Sequence, residues 1–521
     1  MRITKKGIAA FVLAVALPVS AFAADSDLQQ KIEELSRQLE SLRQQVQQNE
    51  AKTKQTEEKV DKTEALAKQT EEKSLGRWLS ISGDYRFRID NLRGNVGTYY
   101  QYINNTTPPM LIPGYAATND TIYTNRFGLN LKVKATEDVQ LKARLLMYKV
   151  SGAQNDNSVI GPFFADRVGI FDGTLGHVPS DGQLTVDQVY VTWSNILDQP
   201  LWFSVGRRPS AGGTPSNLRA NTERVGTAGI PALLVDYAFD GMTIGYAPDI
   251  DALGSPYIKL CYGRAFESGY TQNSQPMANN SLRDTDMLGV QAVVYNTDAV
   301  MATLQWNHGF NIFNSPAFLV GQSYPYLPLT APSVNVGDID WFGGEVTGKV
   351  EHAGPGTFNW FIDSALSITE PNHNTAMPGM PIGLNYSGVR TRTTGWAAYV
   401  GGRYDFTKTG TKIGLEYNHG SENWITFAPA ADDMWTAKLG TRGNVYEIYG
   451  IQELPLKPIS SLLSKVFFKL GYQYYQFNYT GSNNWVGGAT PISNVVNPMN
   501  AQMFAPVKNA QDVYGTFEVQ F

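Results

Sequence analysis

The sequence predicts an all-β chain: a transmembrane antiparallel up-and-down β-barrel of about 16 strands (a range of about 14–18), preceded by an N-terminal α-helical coiled coil. Three observations predict it. Segments of about 9 to 13 residues alternate apolar and polar side chains, the period of a strand with one greasy and one wet face. The connections between them alternate short and long, as in membrane barrels. After residue 24 no run of about 18 apolar residues occurs, so no helix is predicted to cross a membrane.

The first element is a leader. Arg2, Lys5 and Lys6 form a positive start, GIAAFVLAVALPVSAFA a short apolar core, and Ala21-Phe22-Ala23 a small-x-small site. Residues 1–23 therefore read as a signal peptide. No cysteine follows the site, which argues against lipoprotein processing.

Residues 25–76 form the second element. Leu28, Ile32, Leu35, Leu39, Leu42 and Val46 follow the 4-3 spacing of a heptad seam. The frame continues through Asn49, Thr53, Thr56 and Val60 while turning polar, and KQTEEK recurs two heptads apart. A helix from about Leu28 to Leu75 is about 70 Å long. Its stripe is too narrow to bury alone, so self-association is predicted.

From residue 78 to 521 the strand period takes over. In WLSISGDYRFRID, Leu79, Ile81, Tyr85, Phe87 and Ile89 share one face, against Ser80, Ser82, Asp84, Arg86 and Arg88. RFGLNLKVKA and VQLKARLLMYK repeat the pattern on either side of Thr136-Glu137-Asp138. Further strands are expected at 185–194, 201–208, 232–247, 257–266, 285–296, 299–310, 340–351, 357–369, 395–406, 411–420, 443–453, 465–479 and 511–521. Asp240-Gly241 resembles a hairpin turn, but an even strand count requires one strand there, bulged at Gly241. Trp193, Trp306, Trp341, Trp360, Trp396, Tyr404 and Tyr417 near strand ends suggest an interfacial girdle. Charged residues are 17% of the chain, below the roughly 25% usual for soluble proteins. A propeller would need a recurring blade motif of about 40–50 residues, which the sequence lacks.

A barrel of this size leaves an aqueous lumen. Early strands make its polar face basic, so Arg86, Arg88, Arg126, Lys132, Lys134, Lys142, Arg144 and Arg208 are the candidate pore-lining residues, tempered by Asp84. The Gly/Pro-rich segment VGRRPSAGGTPSNLRANTERVG follows a strand and is the most unusual loop. The net charge of −5 argues against a nucleic-acid partner. Cys261 is the sole cysteine, which excludes an internal disulfide, a CxxCH haem site and a thiolate metal cluster. Neither GxSxG nor HExxH occurs, and of the histidines (177, 308, 352, 373, 419) only His419, near Glu416 and Glu422, suggests a dyad. No enzyme, metal or cofactor is expected.

The terminal strand DVYGTFEVQF, ending on Phe521, resembles those of bacterial outer-membrane barrels, whose last aromatic is part of the barrel-assembly signal. DQVYVTW (187–193) and FSVGRRP (203–209) look like segments of an uncharacterised group of outer-membrane porins. The whole architecture resembles Gram-negative porins with an N-terminal periplasmic coiled coil, such as phosphate-selective porins. The resemblance implies an outer-membrane porin, homotrimeric, passing small hydrophilic solutes, its N-terminal arm in the periplasm; an anion preference is expected only from the basic lumen face and is not carried over from the resemblance. It implies outer-membrane lipid and the barrel-assembly machinery as partners, with peptidoglycan a further candidate. It also makes Arg219 and Arg224 candidates for a constriction loop. Two other readings stay open: an envelope tether anchored to peptidoglycan through its coiled coil, and the barrel of a porin–cytochrome electron conduit.

Overall fold

The computed structural model of the chain describes Glu34, Arg37, Glu40 and residues 78–521, apart from 102–107, 153–181, 210–214, 223–232, 270–281, 315–333, 377–380, 429–431, 458–463 and 503. The chain divides into two compact units, Met1–Arg77 and Trp78–Phe521. In the first, Glu34, Arg37 and Glu40 are helical and exposed. The signal peptide and the seam residues Leu28, Ile32, Leu35, Leu39, Leu42 and Val46 lie outside the described residues, as does Arg224.

The second unit is a closed antiparallel barrel of 16 strands. In chain order they are β1 (Leu79–Val96), β2 (Tyr115–Lys134), β3 (Val139–Val150), β4 (Thr185–Trp193), β5 (Leu201–Pro209), β6 (Ala238–Tyr246), β7 (Tyr257–Phe266) and β8 (Thr285–Asn296). They continue as β9 (Val300–Phe313), β10 (Asn335–Ala353), β11 (Gly356–Pro371), β12 (Thr394–Phe406), β13 (Thr411–Gly420), β14 (Gly443–Glu453), β15 (Lys465–Phe477) and β16 (Val507–Gln520). Each strand pairs with the next, and β16 pairs with β1, setting Phe517 opposite Phe87 and Glu518 opposite Arg86. Beyond that ladder Phe521 and Gly83 exchange backbone hydrogen bonds of 2.9 and 2.8 Å, completing the seam.

The pleat sends alternate side chains out and in, and here the usual distribution is reversed. Ile81, Ile89, Leu304, Ile362 and Leu470 are exposed on the outer face. Arg86, Arg88 and Asp90 between them are buried inside. So large an apolar exterior would be untenable against water; it suits lipid. From Ile81 to Ile89 the strand covers roughly 20 Å of depth, at about 3.4 Å per residue and a tilt of about 40°. Among the described residues no helix is long and apolar enough to cross a membrane.

The two ends of the barrel differ. At the turn end the connections are tight: Gly354-Pro355 joins β10 to β11, and the stretch 135–138 joins β2 to β3. Asn195, Leu197 and Asp198 reverse the chain after β4 with positive φ. At the loop end the connections are long, and several turn inward.

Four expectations are corrected. Ala238–Tyr246 is a single strand, but its pairing runs without a break through Gly241, so there is no bulge there. Gly241 is instead demanded by crowding, since a Cβ would strike the backbone of Tyr262 and Gly263. Residues 233–237, expected within that strand, turn into the interior. Trp341 is not a girdle residue: it is fully buried inside, donating from Nε1 to the Ile425 carbonyl at 2.9 Å. Trp193 and Trp396, by contrast, are half exposed on the outside. The first hairpin also rises further than its alternation suggested, because β1 and β2 stay paired to Val96 and Tyr115.

Candidate functional site inside the barrel

The lumen is built from the inward faces of the strands and from loops folded into it, two of which organise the filling. The first lies between β5 and β6. Its short helix α1 (Ser216–Ala220) reaches across to the turn end of the opposite wall. There Arg403 Nη1 donates to the Leu218 carbonyl at 2.5 Å, Gln520 Nε2 to the Ala220 carbonyl at 3.3 Å, and Lys412 to Asn221 Oδ1 at 2.6 Å. Asn221 ends the helix with φ 54°, a conformation Asn tolerates better than most residues. The second loop lies between β13 and β14. The two loops meet where Val235 bridges Phe427, with Asp236 N donating to Phe427 O at 2.7 Å. Leu233, Leu234, Trp341, Trp424, Phe427 and Trp485 pack into one apolar core around that junction. This core packs loop residues against inward strand residues such as Trp341 on β10 and Phe361 on β11, and sits inside the barrel on the side of β9 to β12.

A second region of the interior is ionic. Glu447 on β14 is its hub: it accepts from Lys438 at 2.6 Å, Arg219 at 3.0 Å, Gln473 at 3.1 Å and the Tyr514 hydroxyl at 2.7 Å. Lys438 also bonds Glu416, and Arg219 also pairs with Asp433 at 2.8 Å. Arg88 pairs with Asp90 and Asp512, Arg86 with Asp432 at 2.6 Å, and Lys469 with Glu518 at 3.0 Å. Opposite charges at this depth must be paired, because an isolated buried ion is prohibitively expensive. Burial opposes the charge of Arg219, yet Glu447 and Asp433 outweigh it and hold the guanidinium well above its ordinary pKa. Burial would likewise raise Asp432, but Arg86, Arg126, Arg219 and Lys469 hold its carboxyl well below the usual range. For Lys438, Glu416 and Glu447 overcome burial and the neighbouring Arg219, so its pKa is raised.

A third region differs from both. On β2 and β3, Lys132 and Lys142 stand directly opposite each other in register, both exposed, although they face inward. Like charges placed so repel. Lys134 nearby is also exposed, and Arg208 and Lys259 continue the patch across β5 and β7. No carboxylate in the described residues forms an ion pair with Lys132, Lys134, Lys142 or Arg208. Water therefore reaches this side of the lumen, and the field there is positive.

All eight pore-lining candidates face the interior, in two groups. Arg86, Arg88, Arg126 and Arg144 are tied into ion pairs; Arg126 meets Asp84 and Asp432, and Arg144 meets Asp84 at 2.7 Å. Lys132, Lys134, Lys142 and Arg208 form the water-facing patch. Arg219 lies in the inserted loop, its charge compensated by Asp433 and Glu447. His419 forms no acid dyad: its Nδ1 lies 2.9 Å from Asn444 Oδ1 and its ring packs on Trp396. Sequence reasoning did not single out Lys438, Glu447, Asp432, Asp433 or Arg442. The aperiodic apolar residues in the 421–442 loop (Trp424, Phe427, Met434, Trp435) were the available signal, since a solvated loop has no need of them. Among the described residues no group of three or more His, Cys, Asp or Glu is placed to hold a metal ion.

A family model described as "Protein of unknown function (DUF3373)" matches residues 116–521. No curated protein matches the chain. Similar solved structures include the in-vitro folded, trimer form of OmpT, an outer membrane protein of Vibrio cholerae, at 13% identity and a TM-score of 0.39, covering 85% of this chain and 99% of that one. OprB of Pseudomonas putida is 10% identical with a TM-score of 0.41, over 87% and 96% of the two chains. The outer membrane channel DcaP of Acinetobacter baumannii is 10% identical with a TM-score of 0.38, over 85% and 97%.

Proposed function

The chain belongs to the DUF3373 family of proteins of unknown function, and we propose that it is an outer-membrane porin that passes small hydrophilic solutes by passive diffusion, with a preference for anions. One observation carries this reading: a closed barrel with an apolar outer face keeps a water-accessible, positively charged strip on its inner face. A barrel serving as an anchor alone has no need of exposed inward lysines that repel one another. Lys132, Lys134 and Lys142 would raise the local concentration of anions along the strip. The ion-paired and apolar regions narrow the path, so conductance should be small for a barrel of this size.

In the same reading the pore works as a homotrimer, inserted by the barrel-assembly machinery with Phe521 as part of its signal. The heptads of 25–76 act in the periplasm, between copies or against peptidoglycan. Planar-bilayer recording of the purified full chain tests the channel. Small, resolved steps with anion-biased reversal potentials are expected. Replacing Lys132, Lys134 and Lys142 with Gln should move the bias toward neutrality. A barrel that never conducts would overturn the proposal.

A further inference from the structure

Beside the basic strip the wall opens into a recess that is not closed off from solvent. Its lining is of two kinds. Arg208, Thr243, Lys259 and Gln291 are polar, and Phe239 and Met287 are apolar. Arg208 is held in place with little of its charge spent. Its guanidinium lies 5.5 Å from the Tyr190 ring and 5.6 Å from that of Trp202, and it donates to the Thr243 hydroxyl. Its Nε is buried with no hydrogen-bond partner among the described residues. Gln291, 2% exposed, also leaves its Oε1 without a partner. Buried polar atoms left open cost free energy unless something fills them. Both residues line the recess, and Arg208 lies close to the cation Lys142.

We infer that this recess is a binding site for a small organic anion, one carrying a carboxylate on an apolar body. The carboxylate meets the Arg208 fork in the field of Lys142, a geometry in which guanidinium excels. The apolar body packs against Phe239 and Met287, and Gln291 meets a polar group of the ligand. The inference deepens the channel reading by naming a solute class. It rests on the recess being reached from the lumen.

Cys261, the sole cysteine, lines this recess and serves as a native reporter. The test labels the purified full chain in detergent micelles with two methanethiosulfonates of similar size, one ending in a sulfonate and one in a trimethylammonium. Rates are normalised to a free small thiol. A cationic recess concentrates the anionic reagent, so its rate should exceed that of the cationic one by about tenfold or more. Benzoate should slow labelling at concentrations where chloride and benzyl alcohol do not. Arg208→Gln should reduce the reagent preference severalfold and abolish benzoate protection, in protein whose heat-modifiable gel mobility shows a folded barrel. Equal rates, no labelling by either reagent, or protection by chloride equal to that by benzoate would each overturn the inference. The wild-type protection measurement decides the matter even if the variant does not fold. Labelling needs no conduction, so a site that fails here leaves the bilayer result standing, and a silent bilayer leaves the labelling result standing.

Discussion

Lys438 joins two buried carboxylates, Glu416 and Glu447. Replacing it with methionine keeps most of the volume and removes the charge. Its ammonium now bonds Glu416 and Glu447, the latter at 2.6 Å, and lies 5.2 Å from the Tyr399 ring. After Lys438→Met, Glu447 keeps Arg219 at 3.0 Å and the Tyr514 hydroxyl at 2.7 Å. Glu416 keeps the Tyr399 hydroxyl at 2.6 Å, a neutral donor. The side chains of Glu416 and Glu447 are 2% and 1% exposed, so solvent gives no relief. Removing one partner of such a buried pair costs about 3–5 kcal/mol. At a urea dependence of about 2 kcal/mol per molar, the unfolding midpoint should fall by about 2 M. The assay is urea unfolding of the refolded barrel in micelles, followed by tryptophan fluorescence and heat-modifiable gel mobility. Adding Glu416→Gln removes the stranded charge, and the double variant should regain at least half of the loss. Two results would refute the reasoning: an unchanged midpoint in Lys438→Met, or a double variant no better than the single one.

Other outcomes follow from the same interior. Arg442 is fully buried, and its guanidinium donates to the carbonyls of Trp424, Thr480 and Asn484 and to Asn385 Oδ1, holding three loops together. Arg442→Ala should cost about 3 kcal/mol and open those loops to limited proteolysis while the barrel itself keeps its gel mobility. Arg442→Lys should not rescue it, because an ammonium cannot reach four acceptors in a fork. Asp432 is held below its ordinary pKa by Arg86, Arg126, Arg219 and Lys469 despite its burial. Its contribution is therefore present above the unfolded-state value and is lost as pH falls through the folded one. Urea midpoints of the wild type should drop in acid, and Asp432→Asn, already weaker at neutral pH, should drop less. At Gly471 an added Cβ would collide with the Tyr514 ring. Gly471→Ala should cost about 1–3 kcal/mol and, by displacing Tyr514, loosen Glu447; Tyr514→Phe should reproduce the second effect without the first in the same unfolding assay.

The strand layout was legible because a membrane wall allows no ambiguity: a one-residue slip would turn Arg86 and Arg88 into lipid. All sixteen expected strands appear, the even count around Asp240-Gly241 included. What the alternation could not convey is the state of the inward face. Polarity at Glu447 or Lys469 looks the same whether water or a partner surrounds it. The partners come from loops such as 424–442 and 233–237, whose buried residues follow no period because they pack as an irregular filling. Trp341 shows the limit from the other side, since a tryptophan on a strand signals a lipid interface or an interior contact equally well. The basic residues were identified from sequence, but their division into neutralised and water-facing sets depends on which carboxylates come to rest beside them, Asp84, Asp90 and Asp512 from the strands and Asp432 from a loop.

The bridge between Val235 and Phe427 imposes an order of events on assembly. Arg219 finds Asp433 and Glu447 more than two hundred residues later in the chain, and Arg88 waits for Asp512 until the last strand is added. Contacts so distant in sequence form late and slowly. While the sheet is open its cationic edge stays hydrated, and the cost of drying those charges falls at the moment β16 meets β1. Closure of the wall and filling of its interior are thus one cooperative step, and a chain that stops short of its final strand would hold neither.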